Sequence, residues 1–346
     1  MADQIASFLS TVPDGSTIQF QPGGCYGQDG TILLANRNNL TINGEGSTFE
    51  ALASMAGNSF WAAQGGTNIT FTNMTIQGDN PYAEVLQGSP GCYNAGWEWQ
   101  YGFAFDGTDG GTVNGVTVND IYGDFVEAED DNGNTHSAPA TNILIENNTF
   151  SGAGRMGIGI TDGNGITIEH NSFNWVCWEM VDIETDTPYE YGENVNIIDN
   201  TLGSNNFGIL SDGGNSAPTN NGNVTVTGNT MTSYPATTES PIILNPITGI
   251  VSTGFTIDNN TLETNGSAGI QVASESNGQI ENNNVDYDYP EGGTHNGIDI
   301  SSGDSNILVE NNVEPVCCSL TSWPGGGVLV YVDPSDTNIT VSGNTL

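Results

Sequence analysis

Acidic residues recur at fixed places in three of four similar short segments of the sequence, and their spacing fits the cleavage of sugar polymers. The segments read Phe103-Ala-Phe-Asp106, Val126-Glu-Ala-Glu129, Ile158-Gly-Ile-Thr161 and Val181-Asp-Ile-Glu184. Alternating apolar and polar residues are typical of strands, in which the second and fourth side chains face the same side. If the four strands are neighbours, one outward face carries five carboxylates: Asp106, Glu127, Glu129, Asp182 and Glu184. Glycoside hydrolysis uses two carboxyl groups, one as acid and one as base or nucleophile, so these five are candidate catalytic residues.

Aromatic residues accompany the acidic segments along the chain. An exposed ring of this kind binds the apolar face of a sugar, so the following are candidates for substrate binding: Tyr93, Trp97, Trp99, Tyr101, Trp175 and Trp178. The alternative is that these rings pack an inserted loop onto the wall of the fold.

Few basic residues accompany the acids. Arg155 lies between the two strongest acid pairs and, because the sequence contains no lysine, is the only cation near them. It either binds a hydroxyl or carboxyl group of the substrate or neutralises the acids. His136, in a loop after the second acidic segment, is a further candidate for substrate binding, whereas His170 is interpreted as a turn residue.

The sequence offers one candidate metal site and no other cofactor. Asp130, Asp131 and Asp162 lie at the edge of the predicted acidic face, and carboxylate oxygens are ligands that Ca²⁺ prefers. The five cysteines lack the spacing of a metal site, and the adjacent Cys317 and Cys318 are poorly placed to bridge each other. We therefore expect at least one thiol to be free or to pair between chains.

A degenerate repeat, apolar-x-x-Asn-polar-apolar, runs through the chain and predicts how these residues are positioned. Its asparagines are 23, 29, 29, 31, 23, 29 and 32 residues apart, namely Asn148, Asn171, Asn200, Asn229, Asn260, Asn283, Asn312 and Asn344. A repeat of this length with short strands indicates a solenoid. We predict an all-β protein, a single right-handed parallel β-helix domain of about ten coils over residues 1–346. Each asparagine is expected to adopt a left-handed backbone at a corner and to bond its equivalents in a ladder.

The first residues are expected to cover the open end of this solenoid. Residues 1–20 read as an amphipathic capping helix, with Ile5, Phe8 and Leu9 on one face, followed by a first strand. Together with the segments 12–20, 22–26 and 40–46, this opening resembles the pectate-lyase-like β-helix superfamily of extracellular carbohydrate-active proteins. The resemblance covers nearly the whole chain in architecture and implies the fold, not the reaction. At the other end, nothing after Asn344 resembles a cap, so we expect an uncapped C-terminal end and self-association through it, unless the chain is truncated there.

Composition excludes two classes of partner. With 41 acidic residues against two arginines, the formal net charge is −39, which excludes binding of nucleic acid by a basic face. No apolar run reaches the length of about 18 residues that a membrane-spanning helix requires. Absence of lysine with an excess of acids resembles adaptation to high salt. The first four residues show neither the basic nor the apolar region of a secretion signal, so we expect any such signal to have been removed, and we infer a secreted or cell-surface location indirectly.

Three functions remain open. The first is a secreted glycoside hydrolase that acts on a polymeric glycan and needs no cofactor, although calcium is a candidate ligand. The second is a non-enzymatic acidic surface, fibre or glycan-binding protein. The third is a polysaccharide lyase. Related β-helix lyases commonly use Lys or Arg as base, often with calcium, and here only Arg155 could serve, which disfavours this reaction.

Overall fold

A computed structural model describes residues 2–53, 55, 57–84, 91–130, 138–203, 208–213, 222–231, 240–244, 252–264, 268–287, 296–314 and 327–345. The secondary structure is almost entirely short strands. In chain order the elements are α1 (Ala2–Leu9), β1 (Thr17–Gln19), β2 (Cys25–Gln28), β3 (Ile32–Ala35), β4 (Asn38–Ala51), β5 (Trp61–Gln64), β6 (Thr67–Gln77), β7 (Phe103–Asp106), β8 (Asp109–Asn114), β9 (Thr117–Ile121), β10 (Val126–Glu129), β11 (Ala140–Thr141), β12 (Leu144–Glu146), β13 (Thr149–Ala153), β14 (Ile158–Ile160), β15 (Gly163–Asn164), β16 (Thr167–Glu169), β17 (Ser172–Val176), β18 (Val181–Ile183), β19 (Gly192–Glu193), β20 (Asn196–Ile198), β21 (Thr201–Leu202), β22 (Leu210–Asp212), β23 (Gly222–Thr227), β24 (Thr230–Met231), β25 (Ile242–Leu244), β26 (Ser252–Asp258), β27 (Thr261–Thr264), β28 (Ile270–Val272), β29 (Glu275–Glu281), β30 (Asn284–Tyr287), β31 (Ile298–Ile300), β32 (Ser305–Glu310), β33 (Val330–Val332) and β34 (Thr340–Ser342).

The strands stack as a right-handed parallel β-helix, which confirms the predicted fold. One sheet takes a single strand from each of eleven coils, in the order β3, β5, β7, β10, β14, β18, β22, β25, β28, β31 and β33. The remaining strands form a second, larger sheet that follows the other sides of the coils. Because neighbouring strands pair in parallel, equivalent residues of successive coils lie about 4.8 Å apart. Equivalent residues of successive coils thus form a column along the stack, and the column to which a residue belongs determines its neighbours.

The inward residue of each strand builds the core. One column reads Ile145, Ile168, Ile197, Val226, Ile257, Ile280 and Val309, all fully buried and in register. Phe150 and Phe173 pair in a second column of the larger sheet, and Phe125, next to β10 of the other sheet, stacks on Phe150 with ring centroids 4.9 Å apart. A slip of one residue would turn these side chains outward, so burial of the apolar columns sets the register.

The repeated asparagines form the predicted ladder inside a corner. The Nδ2 of each donates to the Oδ1 of its equivalent in the next coil, at 2.9 to 3.1 Å, from Asn148 to Asn344. Each Oδ1 in the series also accepts the backbone N–H of the preceding asparagine, as that of Asn229 does from Asn200 at 2.9 Å. Backbone groups at this corner are thereby satisfied without water.

The prediction that these asparagines adopt a left-handed backbone was wrong by one residue. The positive φ lies at the residue before each, for example 57° at Asn147, 56° at His170 and 52° at Asp199. The ladder residue must point inward to bond its equivalents, so the exposed residue ahead of it makes the bend. His170 is confirmed as a turn residue.

The N-terminal helix is present as predicted, with one difference. Ala2 and Leu9 are buried and Ile5 packs against the core, but Phe8 is 57 % exposed and does not cover the first coil. Arg37 fixes the end of the helix. Its Nη1 donates to the carbonyl of Leu9 at 2.7 Å, and its Nε pairs with Asp14 at 2.8 Å.

No described helix is long and apolar enough to cross a membrane. Cys317, Cys318 and Trp323 lie outside the described residues, and self-association stays a prediction.

Replacing a ladder asparagine should destabilise the fold much more than replacing an exposed corner asparagine. We expect Asn229→Ala to lower the free energy of unfolding by about 3 kcal/mol or more, because buried groups of neighbouring coils lose their partners. Asn147→Gly is the matched control, since Asn147 is exposed and glycine adopts its φ of 57°, and should cost less than about 1 kcal/mol. Denaturant unfolding measures both, and equal losses would contradict a special role of the ladder.

Candidate functional site

The acid-bearing segments are neighbours in the eleven-stranded sheet, in the register that the sequence predicts. Val126 of β10 pairs with Phe103 of β7 on one side and with Ile158 of β14 on the other. Ile158 in turn pairs with Val181 of β18. The predicted alignment of all four segments is therefore confirmed.

This register sorts the five predicted carboxylates into two columns. Asp106 and Glu129 are directly paired across β7 and β10. Glu127 and Asp182 both pair with Gly159, from opposite sides. Since Gly159 separates them, their Cα atoms lie two strand spacings apart, about 9.6 Å. Glu184 follows Ile183, the last residue of β18.

The acids do not form the shallow exposed face that we expected. Glu127 is 1 % and Asp182 6 % exposed, while Asp106, Glu129 and Glu184 are partly buried. Tyr101 contributes to this cover, because its ring is buried in a small cluster with Ala62 and Ala104 on the outer face of the sheet. Among the predicted aromatic residues, Tyr101 thus packs the inserted segment onto the wall of the fold.

Gly159 makes room for two carboxyl groups. A Cβ atom at this position would lie 2.0 Å from Oε2 of Glu127 and 2.9 Å from Oδ2 of Asp124. Both carboxyl groups therefore occupy the space above Gly159, which forms the floor of the site. The Oε1 of Glu127 is held from the other side by the hydroxyl of Thr161, which donates to it at 2.8 Å.

Arg155 joins acids from two different coils. Its Nη1 lies 2.6 Å from Oδ2 of Asp124, and its Nη2 lies 2.5 Å from Oε2 of Glu184. The other oxygen of Asp124 accepts the backbone N–H of Met156 at 2.7 Å. Both terminal nitrogens of Arg155 are thus engaged with carboxylates, which corresponds to the neutralising role considered from the sequence.

Asp124 is a central residue that the sequence reasoning missed. It is fully buried and lies two residues before β10. Glu179 stands at the same distance before β18. Extending the alignment of the acidic segments by two residues toward the N-terminus would have revealed both.

Burial raises the pKa of the carboxyl groups at the centre of the site. The pKa of Glu127 lies well above its ordinary value because of burial and the charge of Asp124, and that of Asp124 is raised less strongly because Arg155 opposes the effect of burial. The two carboxyl groups occupy the same buried space above Gly159. Two like charges held this close repel, so protonation of one of them is favoured, and the strong rise in the pKa of Glu127 favours the protonated form of that group.

A second carboxyl pair lies beside the first. Burial raises the pKa of Asp106 to about 6 and that of Glu129 to about 8, and the two groups are hydrogen-bonded. Glu129 therefore keeps the proton near neutral pH and donates it to Asp106. Burial also raises the pKa of Asp182 well above its ordinary value, with a further contribution from Glu179. The site consequently contains several carboxyl groups with raised pKa values, and Arg155 is its one arginine.

A cavity of about 430 Å³ opens next to this cluster. Its lining consists of Tyr93, Glu98, Arg155, Met156, Trp178, Glu184 and Asp186. The rings of Tyr93 and Trp178 lie edge to face with centroids 6.3 Å apart, and the hydroxyl of Tyr93 donates to Glu98. A disulfide joins Cys92 to Cys177, the residues directly before these two aromatic residues. The disulfide therefore holds both walls of the cavity together.

The remaining predicted site residues are placed differently. Trp97 packs edge-on against Tyr122, with centroids 4.3 Å apart, Trp99 is exposed, and Trp175 is half-buried at a φ of 53°. None of the three lines the cavity. His136 and Asp131 lie outside the described residues, whereas Asp130 and Asp162 are buried. Within the described part of the chain, no three His, Cys, Asp or Glu side chains converge to hold a metal ion, and the calcium site stays a prediction.

Comparison with known proteins supports the fold. No protein-family model and no curated protein matches the sequence. Among solved structures, the Family 28 exopolygalacturonase of Yersinia enterocolitica has a TM-score of 0.60 at 11 % identity, over 99 % of this chain and 74 % of the other. The A-module of a mannuronan C-5 epimerase from Azotobacter vinelandii has a TM-score of 0.54 at 14 % identity, over 99 % and 90 %. A surface protein and adhesin of Streptococcus pneumoniae has a TM-score of 0.52 at 13 % identity, over 99 % and 92 %. At these identities the likeness establishes the β-helix alone.

The free energy of unfolding should fall as the pH rises from about 5 to about 9. In the folded state Asp106 and Glu129 release their protons near pH 6 and pH 8, whereas in the unfolded chain they do so near their ordinary values of about 4. The folded state therefore binds more protons in this interval, and stability is lost as the pH rises. Thermal unfolding at several pH values measures the slope.

The double variant Asp106→Asn, Glu129→Gln should flatten that curve, and Glu50→Gln, which changes an exposed carboxylate, should leave it unchanged. A melting temperature that rises across this interval in the unmodified protein would contradict the protonated state of the cluster.

A methyl group at position 159 should displace the Glu127 carboxyl group. We expect Gly159→Ala to cost about 1 to 3 kcal/mol of stability, because the added Cβ overlaps Oε2 of Glu127. Gly30→Ala is the control, since its Cβ would have its nearest contact 3.9 Å away at Ala2. A crystal structure of the variant with Glu127 unmoved and unchanged stability would refute the close approach.

Proposed function

We propose that this protein is a secreted glycoside hydrolase that acts on a polymeric glycan. The observation that carries the proposal is the chain of contacts from Glu127 through Asp124 and Arg155 to Glu184. One end of this chain holds a protonated carboxyl group, and the other end holds a carboxylate in an ion pair with Arg155. Glycoside hydrolysis requires these two states side by side.

The two ends take different roles in this mechanism. Glu127 acts as the acid and gives its proton to the oxygen of the leaving sugar. Glu184 acts as the base, takes a proton from water, and directs the resulting hydroxide to the anomeric carbon from the opposite face. The strands that carry these residues lie two spacings apart, which is compatible with the 6.5 to 9.5 Å, roughly, that separates the carboxyl groups of inverting enzymes.

A glycan can reach the proposed acid, Glu127, only if part of the fold moves. Glu184 lines the cavity, but Glu127 is almost completely buried. In the proposed reaction, the segment 91–101 must therefore shift when a glycan enters. The aromatic rings of Tyr93 and Trp178 provide apolar surface on which a sugar ring can stack.

Lyase chemistry has less support at this site. A lyase would use Arg155 as its base, and a base must first lose its proton. The charge of Asp124 raises the pKa of Arg155 further above its ordinary value, and both terminal nitrogens are held in ion pairs. An arginine in this environment stays protonated.

Two further findings support the proposal. The fold is the one found in an exopolygalacturonase and in a mannuronan epimerase, which supports a polysaccharide as the partner. The disulfide between Cys92 and Cys177 supports an extracellular location, because such bonds persist in oxidising compartments.

The second candidate function is binding of a glycan without cleavage. A groove of about 490 Å³ crosses five coils of the larger sheet, and its lining includes Asn223, Thr256, Asn277, Asn306 and Thr340 but no carboxylate. Amides and hydroxyls of this kind can bind sugar hydroxyls without chemistry. The same fold also occurs in a bacterial adhesin, and this likeness supports binding without cleavage as much as the likeness to the enzymes supports cleavage.

Cleavage assays with two variants test the hydrolase. Unmodified protein is incubated with a panel of polysaccharides, and new reducing ends are counted. Glu127→Gln and Glu184→Gln should each lower the rate by about 100-fold or more, because each removes one proton-transfer group. Glu50→Gln should retain full activity, and circular dichroism should show the fold in all variants. Binding without cleavage by the unmodified protein would favour the second candidate, and full activity of either acid variant would remove that residue from the mechanism.

A further inference from the structure

The distribution of positive charge bears on which glycan the site accepts. The chain has two arginines and no lysine. Arg37 is engaged at the N-terminal helix with Asp14 and the carbonyl groups of Leu9 and Val12. Arg155 is engaged with Asp124 and Glu184. Both arginines of the chain are therefore already paired with its own carboxylates, and a carboxylate of a ligand would have to compete with these for Arg155.

The cavity next to Arg155 also carries more negative than positive side chains. Glu98, Glu184 and Asp186 contribute to its lining, and Arg155 is the only basic residue among the lining residues. Behind it lies Asp124, whose Oδ2 is 2.6 Å from Nη1 of Arg155 and so pairs with the positive charge of this residue. Like charges repel strongly in a partly buried site, because little water is present to screen them. A uronic acid unit would bring a further carboxylate into this environment.

We propose that the cavity takes a glycan whose sugar units carry no carboxylate, and that it rejects polyuronates. This inference rests on the proposed function, because it concerns the substrate of the same site. Uncharged hydroxyl groups can donate hydrogen bonds to Glu98, Glu184 and Asp186, and a protonated amino sugar gains attraction to the same groups. Arg155 acts here as an internal counter-ion that Asp124 and Glu184 keep from binding an anionic substrate.

A binding experiment on the full chain tests this specificity. The protein is applied to a printed panel of uncharged, amino-sugar and uronate oligosaccharides of matched length, once with a chelator and once with millimolar calcium. We expect the tightest ligands among the uncharged or amino-sugar oligosaccharides, with uronates at least about tenfold weaker under both conditions. Uronates as the tightest ligands, with or without calcium, would overturn the inference, as would binding to no oligosaccharide.

One variant tests the cause. Glu184→Gln removes the negative charge that pairs with Nη2 of Arg155 and should raise the affinity for uronate oligosaccharides by about tenfold, because the guanidinium is then less fully neutralised and can attract their carboxylates. Glu50→Gln changes the net charge equally, far from the site in the sequence, and should leave the affinity unchanged. Equal effects of the two variants would overturn the assigned role of Arg155.

The outcomes separate this inference from the proposed reaction. Selective binding of carboxylate-free glycans without cleavage would remove the hydrolase and leave the specificity standing. Cleavage of a polyuronate that depends on Glu127 would remove the specificity and leave the hydrolase standing.

Discussion

Hydrogen bonding between successive coils is the constraint on which the remaining structure depends. Parallel strands satisfy one another at a spacing of about 4.8 Å, and at the corner the buried amides from Asn148 to Asn344 satisfy the backbone groups that no strand reaches. This arrangement allows coils of different length, because extra residues leave the stack as loops. It does not allow a slip of register, since that would expose the apolar columns. Every outward side chain consequently has neighbours that are determined by its column.

The acidic site is a direct consequence of such columns. Carboxyl groups on adjacent strands cannot move apart, and one arginine cannot neutralise them all. Burial and neighbouring acids raise the pKa values of Glu127 and Glu129, which favours their protonated forms and thereby lessens the repulsion. Gly159 completes the arrangement, because only a residue without a side chain leaves space for the carboxyl groups of Glu127 and Asp124. Protonated and ionised carboxyl groups therefore coexist near neutral pH, which is the condition for acid–base catalysis.

The inserted segment adds a cavity beside this cluster of buried acids. The coil between β6 and β7 is interrupted by a long connection that carries Tyr93, Glu98 and Tyr101. The disulfide anchors this connection to the residue after β17, and the pairing of Tyr93 with Trp178 follows from it. Burial of the acids thus depends on a loop, while their spacing depends on the sheet. Regular scaffolds with variable insertions can host different activities in this way, and the specific chemistry lies in the loop and its partners.

The sequence alone determined the β-helix, the asparagine ladder and the alignment of the acidic strands, because all three follow from local periodicity that repeats along the chain. It also identified Glu127, Glu184, Arg155 and Trp178 as members of one region. Only the tertiary structure decided their states. The burial of Glu127, the ion pairs of Arg155 and the pairing of Cys92 with Cys177 depend on a connection without any repeat, so no period in the sequence indicates where it folds back. The sequence did not reveal Asp124 for a related reason. This residue lies outside a strand, where the alternation of apolar and polar residues stops, and its role depends on the ion pair with Arg155 of the next coil.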